Sequence, residues 1–195
     1  MSNELARRSP YLLDRQRSLL MLVDLQEKLL PTIEHRQRVL WNASRLLAGA
    51  HALGVPHLVT EQYPEKLGAT VSLGEFAQPA NTAISKRMFS CRECHSELAA
   101  SRSTGRDQAV LCGIETHVCI LQTALDLLSD GWQVVIVADA VSSRADLDHN
   151  TALNRLAAQG VIIATTESVL FEWCETSTAT EFKTISALVR QTLPN

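Results

Sequence analysis

The stretch Asp107-Gln-Ala-Val-Leu-Cys-Gly-Ile-Glu-Thr-His-Val-Cys-Ile-Leu-Gln-Thr-Ala-Leu-Asp126 decides the fold. Its first half, Ala109 to Ile114, is an apolar run that reads as a short buried strand, with Gly113 at its end. Its second half places Val118, Leu121, Ala124, Leu125 and, just beyond, Leu128 at helical spacing. A tight turn, Gly113 to His117, joins the two, and Cys119 falls in the first turn of the helix. The first N–H groups of a helix lack internal partners, and the helix dipole concentrates positive charge there. A thiol at that spot is expected to ionise more readily, and the thiolate is the nucleophilic form of cysteine. Strand, turn and helix together make a plausible mount for a nucleophile. A free cysteine also commonly does no more than fill space in a core, so the rest of the chain has to separate the two uses.

On the N-terminal side, Ser18-Leu-Leu-Met-Leu-Val-Asp24 is a continuous apolar run ending in a carboxylate, as suits a strand buried on both faces of a parallel sheet. Residues from His35 to Leu53 carry Val39, Leu40, Ala43, Leu46, Leu47 and Ala50 at helical spacing, with Gly54 as the stop. Pro56 to Glu61 reads as a second strand and Gln62 to Gln78 as a loop rich in Gly, Pro and charge. Asn81 to Lys86 reads as a short third strand, and Arg92 to Ala100 as a short helix. On the C-terminal side, Trp132 to Ala138 is a further strand, ending at Asp139. Asp148 to Gln159 is an amphipathic helix capped by Asp146 or Asp148. Val161 to Ala164 is a last strand, with one or two helices after it. Met1 to Arg17 reads as a polar arm and residues 18–195 as a single domain.

Composition narrows the function. The chain has 195 residues, 46% hydrophobic and 20% charged, ordinary values for one globular domain. A formal charge of -3 leaves no basic footprint for nucleic acid or an acidic membrane surface. Five scattered cysteines, an odd number, suggest free thiols in a reducing compartment, and no stretch reads as a signal peptide or membrane span. The expectation is a cytoplasmic protein.

Strands alternating with helices imply an α/β fold of three layers, α-β-α, around a doubly wound parallel sheet. Ligands in such sheets sit beyond the carboxyl ends of the strands, where strand order reverses. Asp24 ends the first strand, Lys86 ends the third and Cys119 follows the fourth, so all three belong on one rim. With six strands in the order 3-2-1-4-5-6, the first and fourth are neighbours and Asp24 stands beside Cys119. A cysteine nucleophile needs a base and a stabiliser of the developing oxyanion. Asp24 is the candidate base, Lys86 the candidate source of positive charge, and backbone N–H groups around Cys119 the candidate oxyanion donors. Neighbouring strand residues point to opposite faces, so either Lys86 or Arg87 could be the cation in the pocket.

Leu22-Val-Asp-Leu-Gln26, Lys86 followed by Phe89-Ser90, Cys112-Gly-Ile-Glu-Thr-His-Val-Cys119 with Gln122-Thr-Ala124, and Val137-Ala-Asp-Ala140 occur in this order. In that order they resemble the isochorismatase-like cysteine hydrolases, a family that includes nicotinamidases and related amidases. The resemblance runs from about Leu19 to Thr166. It implies an Asp24–Lys86–Cys119 triad on a six-stranded parallel sheet, and a cis peptide before Glu115. The amides of Glu115 and Cys119 would then form the oxyanion hole. It also implies homo-oligomers; a small-molecule substrate is expected, and the charge balance already argues against a nucleic acid or membrane partner. Nicotinamidases of this family carry an Asp-x-His-type metal site after the second strand. Thr60-Glu-Gln-Tyr-Pro-Glu-Lys-Leu-Gly68 contains no histidine, and Glu61 alone is a poor transition-metal site, so neither a metal nor any other cofactor is expected. The expected activity is hydrolysis of a non-peptide C–N bond through a thioester, as in the metal-free branch of the family.

Tyr63 and Phe89 are expected to wall the pocket, with Thr116 and His117 lining it ahead of Cys119. His117 is too close in sequence to face Cys119 as a dyad partner. Cys91-Arg-Glu-Cys94-His95 matches a haem-attachment pattern, yet short motifs match by chance, and a helix start is the simpler reading, with Cys91 near the pocket. No Gly-x-Gly-x-x-Gly follows the first strand, which disfavours a dinucleotide-binding protein. The alternative of another class is a catalytically silent scaffold that keeps the fold. A thiol ionising below the ordinary value of about 8.5 is the expected mark of an active Cys119.

Overall fold

The computed structural model of the chain describes residues 8–74 and 83–193. Six parallel strands form one sheet: β1 (Ser18–Val23), β2 (His57–Gln62), β3 (Ile84–Lys86), β4 (Gln108–Ile114), β5 (Gln133–Ser142) and β6 (Ile162–Ala164). Their order is β3-β2-β1-β4-β5-β6, the reversal expected of a doubly wound sheet. Helices α1 (Arg36–Leu53), α6 (Thr166–Cys174) and α7 (Phe182–Val189) cover one face, and α3 (His95–Ser103), α4 (Leu121–Ser129) and α5 (Asp146–Ala158) the other. A single turn, α2 (Pro64–Leu67), follows β2.

The strand sequences explain the layering. On β1, Leu20 and Leu22 join the core beneath α1, while Leu19, Met21 and Val23 join the core beneath α4. Alternate side chains point to opposite faces, so a strand covered on both sides reads as an unbroken apolar run. Every residue of β1 and β4 is buried. From Arg8 onward, the N-terminal arm lies against its own chain. Leu13 is in the core, its N–H donates to Glu172 Oε2 at 2.7 Å, and the Asp14 N–H donates to Gln108 Oε1 at 2.8 Å.

Several element boundaries differ from the sequence reading. β5 does not stop at Asp139 but continues to Ser142, because its pairing with β4 slips between Leu111 and Gly113 and resumes at Val141. Within that bulge Asp139 finds other partners: its carbonyl accepts from Asn42 Nδ2 at 2.8 Å, and its carboxylate accepts the Thr166 N–H and hydroxyl. α5 begins at Asp146, with Ala145 as its extended N-cap, so neither Asp146 nor Asp148 caps it. Both instead place negative charge in its first turn, where the helix dipole favours it. β3 is confined to Ile84–Lys86; Asn81 and Thr82, and the 75–78 end of the loop expected from Gln62, lie outside the described residues. Cys91–Glu93 forms a 3-10 turn, and α3 starts after it at His95.

Candidate active site

The carboxyl ends of β1, β2, β3 and β4 converge. Registers Val23↔Thr60 and Gln62↔Lys86 set the polar ends of β2 between β1 and β3, and Val23↔Gly113 sets the end of β1 against β4. Asp24 leaves β1 with φ 54 and is completely buried. Its Oδ1 accepts the Thr60 hydroxyl at 2.9 Å and its Oδ2 accepts the Lys86 ammonium at 2.7 Å. Lys86 is equally buried and donates also to Gln62 Oε1 at 2.8 Å, the Phe89 carbonyl at 3.0 Å and the Met88 carbonyl at 3.3 Å. Four acceptors fix the ammonium as a charged, rigid element, and buried ions survive only when so satisfied. Burial pulls the Lys86 pKa down, but the negative charge of Asp24 leads the opposing causes and the net shift is upward.

The choice between Lys86 and Arg87 follows from the pleat. Arg87 points the other way, pairing with Glu65 through both terminal nitrogens and stacking 3.7 Å above the Tyr63 ring. Tyr63 and Phe89 are 40% and 52% exposed, so both stand at the rim, not the floor.

Cys119 rides on a π-helical turn, Thr116–Ile120, that feeds directly into α4. The first helical turn that the spacing predicts around Cys119 is thus a π-turn. A π-turn adds a residue per turn and often marks a functional site. The Ile114–Glu115 peptide is cis, as the resemblance implied. Cys119 is only 6% exposed, and the Asp24 carboxylate lies near enough to act on its thiol. The expected fall in its pKa is reversed: burial first, then the Asp24 charge, push the thiol up, and Lys86 offsets only part of this. Taking the sulfur out of water penalises the charged thiolate, and this is the largest cause of the shift. The sulfur therefore rests as a thiol beside the Asp24 carboxylate, not as a standing thiolate.

Thr116 is fully buried and its hydroxyl meets His149 Nδ1 at 2.9 Å. His117 turns to the β5–α5 loop, with Nδ1 3.0 Å from Ser143 Oγ and Nε2 4.0 Å from Asp148. The Glu115 side chain accepts from Arg144 Nε at 2.9 Å. Three polar residues at the site have no assigned role in the sequence reading: Thr60 and Gln62 at the end of β2, and Gln26, which clasps Gln62 by donating to its carbonyl at 3.0 Å and accepting its N–H at 2.8 Å. The signal for the first two was the period-2 spacing of Thr60 and Gln62 in a strand whose Glu61 faces the other way. Cys91 also reaches this cluster, its sulfur 3.7 Å from Thr60 Oγ1.

A metal after β2 does not fit these donors. Glu61 Oε1 accepts the Thr70 N–H at 2.7 Å, Thr60 serves Asp24, and Gln62 serves Lys86. Among the described residues, no group of three or more His, Cys, Asp or Glu could hold an ion. In the Cys91–His95 motif both cysteines are buried, and His95 Nδ1 lies 3.1 Å from the Glu93 carbonyl at the helix start. Among the same residues, no helix is long and apolar enough to cross a membrane.

The titrating groups define a pH window. Burial holds His57 and His149 below their ordinary value. As pH falls below about 6.5, the unfolded chain takes up their protons before the native one does, and stability drops. Burial pushes Cys91 from 9.0 up to about 11 and Cys112 up to about 12. Above about pH 9 the unfolded chain loses those protons first, so stability falls again as pH rises. Lys86 adds to the same limb, its contribution intact below its ordinary value of 10.5 and lost as pH climbs through its raised one. Urea midpoints measured across pH are expected to trace a plateau between the two limbs, with Cys91→Ala giving a shallower alkaline fall. A midpoint that still rises above about pH 10 would contradict the burial of these groups.

Comparison with known proteins agrees with this architecture. The Isochorismatase domain family model matches residues 18–168. The chain is 42% identical over 180 residues to isochorismatase domain-containing protein 2 of Danio rerio, covering 91% of this chain and 89% of that one. It is 41% identical over 177 residues to isochorismatase domain-containing protein 1 of the same species, covering 91% of this chain but only 62% of that longer protein. The solved structure of MAR1 ribonuclease from Caenorhabditis elegans superposes with a TM-score of 0.85 at 35% identity, covering 94% of each chain. With the family match spanning most of the chain and its motif residues meeting around one buried carboxylate, the protein belongs to the isochorismatase-like hydrolase family.

Proposed function

We propose that this chain is a metal-independent cysteine hydrolase that cleaves the C–N bond of a small amide-type substrate through a thioester. The observation that carries the reading is the Asp24 carboxylate, buried, held by Lys86 and Thr60, and near enough to act on the Cys119 thiol. Two charge-assisted or hydroxyl partners orient the base, as a nucleophile–base–orienter arrangement requires. Asp24 takes the thiol proton as Cys119 Sγ attacks the carbonyl carbon, and the amides of Glu115 and Cys119 receive the oxyanion. Asp24 then returns the proton to the departing nitrogen, leaving a thioester. A water deprotonated by Asp24 attacks that thioester, and the acid leaves with Cys119 restored. Lys86 holds Asp24 in place between the two half-reactions. Tyr63 and Phe89 supply the apolar rim, and His117 the polar one. Thr116 acts from beneath, through His149, and is less suited to direct contact than the sequence suggested.

In this reading the protein works as a homo-oligomer in a reducing compartment, consistent with five free thiols. The ribonuclease name of the Caenorhabditis elegans structure raises RNA as an alternative substrate. A formal charge of -3 argues against it, since phosphate backbones are gripped by clustered Lys and Arg. The test is a small-amide library screened by mass spectrometry for an acyl adduct on Cys119, with a fluorogenic RNA run in parallel. Turnover and adduct are expected in the wild type and neither in Cys119→Ala, whose thermal melt should stay close to wild type. Undiminished turnover by Cys119→Ala would reject the mechanism, and turnover of RNA alone would reject the substrate class.

A further inference from the structure

The site contains a second sulfur that the hydrolytic steps leave idle. Cys91 is completely buried, and its Sγ lies 3.7 Å from the Thr60 hydroxyl that donates to Asp24 Oδ1. The same carboxylate acts electrostatically on both Cys91 and Cys119, so two thiols lie near one acid. The backbone N–H of Cys91 donates to Thr123 Oγ1 at 2.9 Å. Thr123 follows Cys119 by four residues, one turn along the same helical face. The main chain at Cys91 is thereby tied alongside the segment that carries Cys119, and both sulfurs belong to one apolar cluster.

We propose that Cys91 is a resolving thiol for Cys119, so that a hydroperoxide entering the site closes a reversible Cys91–Cys119 disulfide. The inference rests on Cys119 being the nucleophile beside Asp24. Asp24 takes the Cys119 proton, and the sulfur attacks one peroxide oxygen. An S–O bond forms, the O–O bond breaks, and the departing alkoxide or hydroxide leaves as the alcohol or water with the proton from Asp24. Sulfur is oxidised to the sulfenic acid as the peroxide is reduced. Cys91 Sγ then attacks Cys119 Sγ; the S–S bond forms, the S–O bond breaks, and hydroxide departs as water with the Cys91 proton. The disulfide shields the nucleophile from the irreversible sulfinic state and is returned to two thiols by reductant. Disulfides of this transient kind are the ones found in reducing compartments.

The experiment treats the full chain with hydrogen peroxide, blocks free thiols with N-ethylmaleimide, and maps a non-reduced digest by mass spectrometry. The expected product is a Cys91–Cys119 linked peptide pair that dithiothreitol removes. Cys91→Ser and Cys91→Ala should lose the pair, accumulate a dimedone-reactive Cys119, and proceed to sulfinic acid with excess peroxide. Wild-type Cys119 reaching sulfinic acid while Cys91 remains maleimide-labelled would overturn the proposal. So would a Cys91–Cys94 pair in its place, or no oxidation of Cys119 at all. The wild-type map decides the matter even where a variant folds poorly. A disulfide without amide turnover would sink only the hydrolase reading, whereas an acyl adduct without a disulfide would sink only this one.

Discussion

Lys86→Met is expected to lower the unfolding free energy by about 3–5 kcal/mol, the cost of stranding one member of a fully buried ion pair. Both side chains have no exposure, so the carboxylate of Asp24 would lose its partner with no water to replace it. The converse change, Asp24→Asn, leaves the ammonium with the Gln62 side chain and two carbonyls but without its counter-charge. It should cost a similar amount. Replacing both residues together removes the buried charges as a pair, and the double variant should recover most of the loss, because well-packed neutral groups often match a buried ion pair in stability. Activity should behave differently: under the proposed mechanism all three variants lose turnover, since each lacks the proposed base or its orienter. Urea denaturation of the four proteins, closed as a double-mutant cycle, measures the coupling. Additive stability losses would show that the pair is not the unit described above.

Gly113→Ala is expected to be more severe still. A Cβ there would fall 2.1 Å from the Val23 carbonyl oxygen and 2.7 Å from the Val23 nitrogen, on a backbone at φ +121. The obstacle is main chain of the neighbouring central strand, which cannot rotate away as a side chain could. The loss should exceed about 4 kcal/mol, a size seldom reached by single substitutions and diagnostic of a named steric cause. Relief requires the ends of β1 and β4 to part, which separates Asp24 from the Cys119 turn, so any folded fraction should fail to turn over substrate. Gly54→Ala is the control. Its φ of +68 is also left-handed, but nothing lies within 4 Å of the added carbon. It should cost only the backbone penalty of about 1–2 kcal/mol. Equal melting temperatures for the two variants would refute the argument from close approach.

Much of this molecule can be read from its residues without coordinates. The apolar runs Ser18–Val23 and Ala109–Ile114 announce strands covered on both faces, because only such strands can dispense with polar alternation. The acid after the first, the lysine closing the third and the cysteine after the fourth share a rim by topology alone. Boundaries were less legible. Asp139 looked like a strand end because acids usually are, but a bulge carries β5 past it, with Asn42 and Thr166 as its partners.

Sequence by itself thus determined the fold class and the shared rim of Asp24, Lys86 and Cys119, since these follow from periodicity and from the rules of doubly wound sheets. The order 3-2-1-4-5-6 was an assumption that the pairing of the strands bears out. Only the tertiary structure decided that Lys86 faces inward while Arg87 stacks on Tyr63, and that Thr60, Gln62 and Cys91 complete the surroundings of the carboxylate. It also reversed the expected ionisation of Cys119. A helix terminus is a local feature and can be read from twenty residues. Desolvation is summed over every neighbour the fold brings in, and here it is the largest cause of the shift.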